Sequence, residues 1–362
     1  MIEFLQRREK LGFNSVTILY PDQFSSKESP LLKNLSGGLK ELCFSLQPLR
    51  GNHPAIELGY TISKIISYFR RRKLHYDYCI AADLTGWQIA FPLRRLGHVS
   101  SLFYDDQDYF PRVTKSIQGR LTSIGLEKVI AKTADGVISA SETLANLRRS
   151  QGARNVLVVP NGVDPSFYKL PESNPTERLK RRTIVYAGSL EHDYGVNLLL
   201  EAFSRLNPAF RAKLVLAGSG PLARSLNAEF EDEKLDGGVR LLGIVEHKKL
   251  PELLWEATVG VAPYLIGSSA AYGVPMKIKE YLAAGLPVVA SRVGEIDHFL
   301  NGDVGAVIKP EVGELVEALD RILSLTPARY ASMCTAARKL VKGYSWDDLY
   351  EQYFRFILDS GN

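Results

Sequence analysis

One loop and the helix after it carry residue types that could handle an anion. Tyr272-Gly273-Val274-Pro275-Met276-Lys277-Ile278-Lys279-Glu280 leads through Tyr281-Leu282-Ala283-Ala284-Gly285 into the apolar run Leu286–Ala290. Pro275 predicts a helix start, Gly285 its end, and the apolar run a short strand. The mouth of such a helix presents unpaired N–H groups and a partial positive charge, which suits a phosphate. Lys277 and Lys279 fall in its first turn, where the dipole disfavours cations. An anion bound beside them would reverse that penalty. Lys277 and Glu280 are three residues apart and share a helix face. The lysine would then meet a diphosphate while the carboxylate accepts hydrogen bonds from ribose hydroxyls. A solvent-exposed helix with an ordinary Lys–Glu pair satisfies the same charge logic.

A second candidate is acidic. Phe103-Tyr104-Asp105-Asp106-Gln107-Asp108-Tyr109-Phe110-Pro111 follows a predicted strand, Val99–Tyr104. The acids therefore lie at a strand's carboxyl end, where ligand clefts form in open α/β sheets. Three carboxylates this close repel one another unless something positive joins them: an acceptor network, an arginine or a metal. Magnesium would suit so hard a set of oxygens. A solvated acidic loop is the plain alternative.

The elements that must position these residues alternate along the chain. Short apolar runs predict strands at Ser15–Tyr20, Glu41–Leu46, Asp77–Ala82, Val99–Tyr104, Gly136–Ala140 and Val156–Pro160. They resume at Thr183–Ala187, Lys213–Ala217, Val239–Leu242, Val259–Ala262, Pro287–Ala290 and Gly305–Ile308. Helical periodicity fills most intervals, for example Val196–Leu206 and Glu314–Leu325, which argues for parallel sheets with helices on both faces. The chain opens on a helix-like stretch, Ile2–Leu11, where such a domain usually starts with a strand. Turn formers crowd Pro160-Asn161-Gly162-Val163-Asp164-Pro165, and Pro171–Arg182 is charged with no apolar period. A domain boundary is expected there. Ser345 reads as the cap of a final helix, with Asp347 and Asp348 in its first turn.

At 362 residues the chain suits two domains, and its 45% hydrophobic and 23% charged content is that of a folded globular protein. No apolar run is long enough to predict a membrane-spanning helix, and the first residues predict no signal core. Cys43, Cys79 and Cys334 are far apart and odd in number, which predicts core thiols in a reducing, cytoplasmic setting. Scattered histidines predict no metal site. Residues 1–165 carry 22 Lys+Arg against 15 Asp+Glu, and the remainder 23 against 25. A basic first half points to an anionic partner. Nucleic acid is not favoured, because no aromatic-interleaved basic module is visible. The Tyr60–Arg72 stretch sets Ile62, Ile65, Ile66 and Phe69 on one side and Arg70-Arg71-Arg72-Lys73 at its end. It is either a helix lying on an anionic membrane or a core helix whose basic end complements its dipole.

Taken together the motifs resemble retaining GT-B glycosyltransferases, most closely glycosyltransferase family four. Pro275-x-Lys277-x-x-Glu280-Tyr281-x-Ala283-x-Gly285-x-Pro287-Val288 is similar to that family's donor-site segment. Val159–Asp164 resembles its interdomain hinge. Tyr186-Ala187-Gly188-Ser189-Leu190 resembles its first C-domain turn, Ala217-Gly218-Ser219-Gly220-Pro221 the second, and Leu242-Gly243-Ile244-Val245-Glu246 the strand and loop that meet the nucleobase. The acidic string resembles a Tyr-Asp-x-His-Asp-x-x-Pro segment, with Gln107 at the histidine and Asp108 at the second aspartate. The chain also departs from the family. Tyr272 stands where many relatives have a first glutamate, and Ser189 and Tyr194 stand where they have an arginine and a lysine.

The resemblance implies two Rossmann-like domains facing across a cleft: residues 1–165 on the acceptor side, a linker at 166–182, a donor domain at 183–343, and a helix over 344–362 returning to the first domain. It implies hexose transfer from a nucleoside-diphosphate sugar to a glycan or lipid-linked glycan, with retention, without a metal, and with no cofactor beyond the donor substrate. Asp108, Lys277 and Glu280 are the expected catalytic residues. Gly188, Ser189, Gly218, Ile244, Val245, Gly273, Val274, Met276, Lys277 and Glu280 are expected to line the donor. A sugar-nucleotide epimerase of the same fold, or a catalytically silent partner chain, would share the framework. Peripheral contact with the cytoplasmic face of a membrane is a further expectation.

Overall fold

The computed structural model describes residues 16–22, 31–34, 39–45, 54–114, 116–169, 174–226 and 238–360. The helix-like opening, Ile2–Leu11, lies outside them. The chain divides into two units, one of Met1–Ser139, Ala145–Val159 and Tyr350–Asn362, the other of Ala140–Leu144 and Pro160–Leu349.

Among the described residues the first unit holds two sheets. Strands β1 (Val16–Asp22), β2 (Leu31–Asn34) and β3 (Leu39–Ser45) form the order β1-β3-β2. β3 runs parallel to β1 and antiparallel to β2. β2 breaks the expected all-parallel pattern. Its four residues, Leu-Leu-Lys-Asn, carry too little alternation to mark a strand. β4 (Tyr76–Ala82), β5 (Val99–Asp106), β6 (Gly136–Ser139) and β7 (Val156–Val158) form a parallel sheet in sequence order. β5 is an inner strand of that sheet, with Leu102, Phe103 and Tyr104 wholly buried.

The helix Pro54–Arg72 belongs to this core. Ile65 and Phe69 are buried in one cluster with Ile89, Leu93 and Val99, and Ile62 and Ile66 pack against it. The membrane reading of that stretch is therefore corrected: its apolar face is occupied, and Arg70, Arg71 and Arg72 lie in the last turn, where the dipole favours cations. The last helix, Trp346–Ser360, starts as expected, with the Asp348 N–H donating to Ser345 Oγ at 3.2 Å. Further along, Phe356 meets Phe103 edge to face at 6.1 Å.

The second unit is one six-stranded parallel sheet. Its strands are β8 (Thr183–Ala187), β9 (Lys213–Ala217), β10 (Val239–Gly243), β11 (Val259–Ala262), β12 (Val288–Ser291) and β13 (Gly305–Ile308). They lie in the order β10-β9-β8-β11-β12-β13, so the direction of winding reverses between β8 and β11. Burial on both faces explains why these strands read as unbroken apolar runs. Val185 and Ala187 of β8 face one core with Ile278, Tyr281 and Leu282. Ile184 and Tyr186 face the other with Leu199, Leu216 and Leu319.

The expected linker needs correcting. Residues 170–173 lie outside the description, but Pro175–Arg181 form a helix capped by Asn174, whose side chain accepts from the Thr176 N–H. Arg178 is buried, and its guanidinium donates to the carbonyls of Leu254 (3.1 Å), Ala257 (3.2 Å), Ala284 and Gly285 (both 3.3 Å). It thereby satisfies the buried carbonyl ends of two helices, Leu250–Glu256 and Met276–Ala283. A charged residue at its centre hides this helix from an apolar-period reading. Arg178→Ala leaves four buried carbonyls short of donors and should lower unfolding free energy by about 3 kcal/mol in urea titrations.

Candidate active site

The reversal between β8 and β11 places a crevice at their carboxyl ends, the usual ligand position in open α/β sheets. Two glycines shape it. Gly218, φ +150°, follows β9, and a Cβ there would lie 1.8 Å from the Gly188 carbonyl oxygen. Gly188, φ +144°, follows β8, and a Cβ there would lie 2.6 Å from Lys277 Nζ. Side chains at these positions would push apart two strand ends and a lysine.

Lys277 comes from the helix Met276–Ala283. Pro275 serves as its N-cap, so the helix begins one residue later than the proline suggested. Lys277 is only 8% exposed, and its ammonium has no hydrogen-bond partner. It sits 4.0 Å from the ring centroid of Tyr186, 5.1 Å from that of Tyr264 and 5.4 Å from that of Tyr194. Aromatic faces attract a cation but accept no full hydrogen bond, so they offset only part of its lost hydration. Burial accordingly pulls the Lys277 pKa down to about 7, against a smaller opposing pull from Glu280.

Glu280, one turn further on, is already oriented. The Tyr168 hydroxyl donates to its Oε1 at 2.9 Å, and His247 Nε2 lies 3.4 Å from the same oxygen. The His247 ring stacks on Phe167 at 4.9 Å with planes 5° apart. Burial and the neighbouring carboxylate push the Tyr168 phenol well above its ordinary pKa, so it remains a donor. Both contacts fall on the same carboxylate oxygen.

The other residues expected to line the donor lie past the ends of β8, β9 and β10 and at the start of the Met276–Ala283 helix. Ser189 brings no cation; its hydroxyl donates to Glu191 Oε1 at 2.6 Å, while its carbonyl accepts from the Tyr186 hydroxyl. Gly243 at the end of β10 accepts from the Gly218 N–H at 2.7 Å. Beyond it Ile244 stands 82% exposed, and Val245 packs against the core. A Cβ added at Gly273 would lie 3.4 Å from Ser141 Cβ, Val274 packs against the core, and Met276 is partly exposed at the helix start. Lys279 does not join Lys277. Its ammonium donates to the Asn161 carbonyl and lies 4.8 Å from the Tyr344 ring. The two lysines are two residues apart and so project to different faces, which corrects their shared assignment to an anion.

Asp108 belongs to the first unit and stands exposed past the end of β5. Its neighbours in the acidic string are occupied. Arg148 makes a double hydrogen bond to Asp106, at 2.7 and 2.9 Å, and a third to Glu127 at 2.8 Å, with all three side chains fully buried. Asp105 accepts from Gln107 at 2.6 Å. Of the partners the acids required, the arginine is present. It lies 42 residues away in the chain, too far for spacing to reveal.

Tyr186, Tyr264, Tyr168 and His247 were also missed. The one available signal was a tyrosine in each of two otherwise aliphatic strand segments, Thr183–Ala187 and Val259–Tyr264.

A parallel sheet with this strand order, with glycine turns at two strand ends beside the helix bearing Lys277 and Glu280, is the framework of one half of a GT-B fold. Residues 181–325 match the family described as glycosyl transferases group 1, and the chain has the GT-B fold. A component of phosphatidylinositol N-acetylglucosaminyltransferase from Arabidopsis thaliana is 28% identical over 207 residues, 56% of this chain and 44% of that protein. The chain spans about half the length of the curated relatives it matches. Sucrose-phosphate synthase from Thermosynechococcus elongatus superposes with a TM-score of 0.79 at 19% identity, over 99% of this chain and 92% of that one. Anabaena HepE in complex with UDP-glucose gives 0.68 at 18% identity, over 88% and 86%. At such identities the structures establish a common fold.

Arg148→Ala strands two buried carboxylates. It should destabilise the protein by about 3–5 kcal/mol near neutral pH. Burial already holds the Asp106 and Glu127 carboxyls above their ordinary pKa, and losing the guanidinium raises them further. A raised carboxyl costs stability above its folded pKa and not below its unfolded one. The deficit should therefore shrink as pH falls toward about 4, measured by urea unfolding at both pH values.

Proposed function

We propose that this chain transfers a hexose from a nucleoside-diphosphate sugar to a glycan or lipid-linked glycan, with retention at the anomeric carbon. The observation that carries the reading is Lys277: a buried ammonium without a hydrogen-bond acceptor, at the strand ends where an anion would complete its coordination. The named activity of the phosphatidylinositol N-acetylglucosaminyltransferase relatives and the UDP-glucose bound to HepE support it.

In this reading the diphosphate lies against Gly188, Ser189 and Gly218 and over the start of the Met276–Ala283 helix, with Gly273, Val274 and Met276 bordering it. Ile244 and Val245 flank the base, and the free oxygen of Glu280 takes the ribose hydroxyls. The anomeric C–O bond breaks and its electron pair passes to the diphosphate. Lys277 and the helix amides stabilise that charge as it develops. The acceptor oxygen bonds to the same face of the anomeric carbon, and its proton goes to the departing phosphate oxygen. Asp108 orients an acceptor or donor-sugar hydroxyl. Lys277 supplies the positive charge that a divalent metal would otherwise bring, so chelation should leave the rate unchanged.

Calorimetric titration with a panel of nucleoside diphosphates tests this. Lys277→Ala and Glu280→Ala should each weaken binding at least about tenfold, the scale of one charge-assisted hydrogen bond. Unchanged affinity in both variants removes the site. The pH dependence has a definite sign. The empty site holds Lys277 with a pKa near 7, whereas a bound anion keeps it charged, so binding takes up a proton above that pH. Affinity should fall as pH rises above about 7, by up to tenfold per unit, and Lys277→Met should abolish the slope. Nucleotide release that needs an acceptor supports transfer; an altered sugar nucleotide released without one would indicate an epimerase, and no turnover a silent partner chain.

A further inference from the structure

The helix Ile117–Thr133 turns an unusual face outward. Its inward positions, Ser123, Glu127, Ile130 and Ala131, are buried. Outward, Ile117 is 77% exposed and Leu121 67%, two of the most exposed large apolar side chains among the described residues. Ile117, Leu121, Ile124, Lys128 and Lys132 succeed one another at intervals of 4, 3, 4 and 4 residues, so they form one line down the helix. The line is apolar over its first two turns and cationic over its last two. Arg120 flanks it on the helix's first turn.

The charge on this face is of one sign. The helix's single acid, Glu127, is buried and bound to Arg148. Among the described residues neither Lys128 nor Lys132 is paired with a carboxylate. Both lysines border an open depression of about 640 Å³, shared with Ile124, Tyr109, Ser150 and Gln151. Lysine ammoniums at the border of an open hollow, next to protruding Ile and Leu, match the two layers of a lipid surface: phosphates outside and acyl chains beneath.

We infer that this face docks the protein on an anionic lipid bilayer, with Ile117 and Leu121 entering the acyl boundary and Lys128 and Lys132 meeting headgroup phosphates. The surface lies wholly within the first unit and does not depend on the donor reading. It moves the membrane contact expected for the basic half of the chain from the Pro54–Arg72 helix, whose apolar face is buried, to one whose apolar residues are exposed.

Cosedimentation of the full chain with vesicles of phosphatidylcholine, alone or mixed with phosphatidylglycerol, provides the test. The protein should bind the mixed vesicles, weakly or not at all the neutral ones, and dissociate in high salt. Lys128→Ala with Lys132→Ala should weaken binding about 30-fold, and Ile117→Ser with Leu121→Ser about tenfold or more. Arg70→Ala with Arg71→Ala should leave it unchanged. All of these positions are exposed, and an unchanged circular dichroism spectrum and urea-unfolding midpoint would show that each variant folds. Equal binding to neutral vesicles, wild-type binding by both helix variants, or dependence on Arg70 and Arg71 instead would overturn the inference. So would complete competition by glycerol phosphate with no effect of the apolar pair, which would indicate a soluble phosphate ligand.

Discussion

An ammonium group closed in by three phenol rings sets the terms for the rest of the second unit. Lys277 has lost its water without gaining an acceptor, and the surrounding structure is arranged to hold it there. Gly188 lacks the Cβ that would strike Nζ. Tyr186 stays in place because its hydroxyl is anchored to the Ser189 carbonyl. The helix that carries Lys277 is fixed at its far end by Arg178, which binds the carbonyls of Ala284 and Gly285. A segment with the composition of a linker thus determines where a lysine two turns away can point.

Arg148 in the first unit is the instructive contrast. It is as deeply buried as Lys277, yet every edge of its guanidinium meets Asp106, Glu127 or Gln151. Its hydrogen bonds and the two carboxylates hold it firmly charged. A satisfied buried charge is scaffold, and here it fixes the end of β5 from which the Asp108 loop departs. An unsatisfied one is what the proposed donor site rests on. Burial alone does not separate the two cases; the partner list does.

What could be read beforehand follows the same division. Strands of the second unit were legible because both their faces are covered, so β8, β9, β11 and β13 appear as uninterrupted apolar runs with the bounds the structure gives them. β2 was not legible, because four residues pairing with one neighbour leave no pattern. Lys277 and Glu280 could be singled out because three-residue spacing on a helix is local information. Their surroundings could not. Tyr168 and His247 reach Glu280 from 112 and 33 residues away, and only the folded sheet brings them together. Lys279 was misjudged for a related reason: helix position gave its turn but not its direction, and the Asn161 carbonyl that receives it comes from a loop before the sheet begins.

The departures at residues 189 and 194 acquire a physical meaning in this setting. Family members that place an arginine and a lysine there carry their cations on the turn after the first strand, whereas here Ser189 is tied to Glu191 and Tyr194 has become part of the aromatic enclosure. The cation that remains beside these turns is Lys277, on the helix Met276–Ala283. An arginine in that position could not discharge when the site is empty and would demand a permanent partner. A lysine can shed its proton at modest cost, and its pKa near 7 lets it do so under ordinary conditions. Lysine is therefore the cation that an enclosure walled by aromatic rings and offering no acceptor can tolerate. Tyr194, standing where a loop cation would be, helps make the enclosure apolar enough to require it.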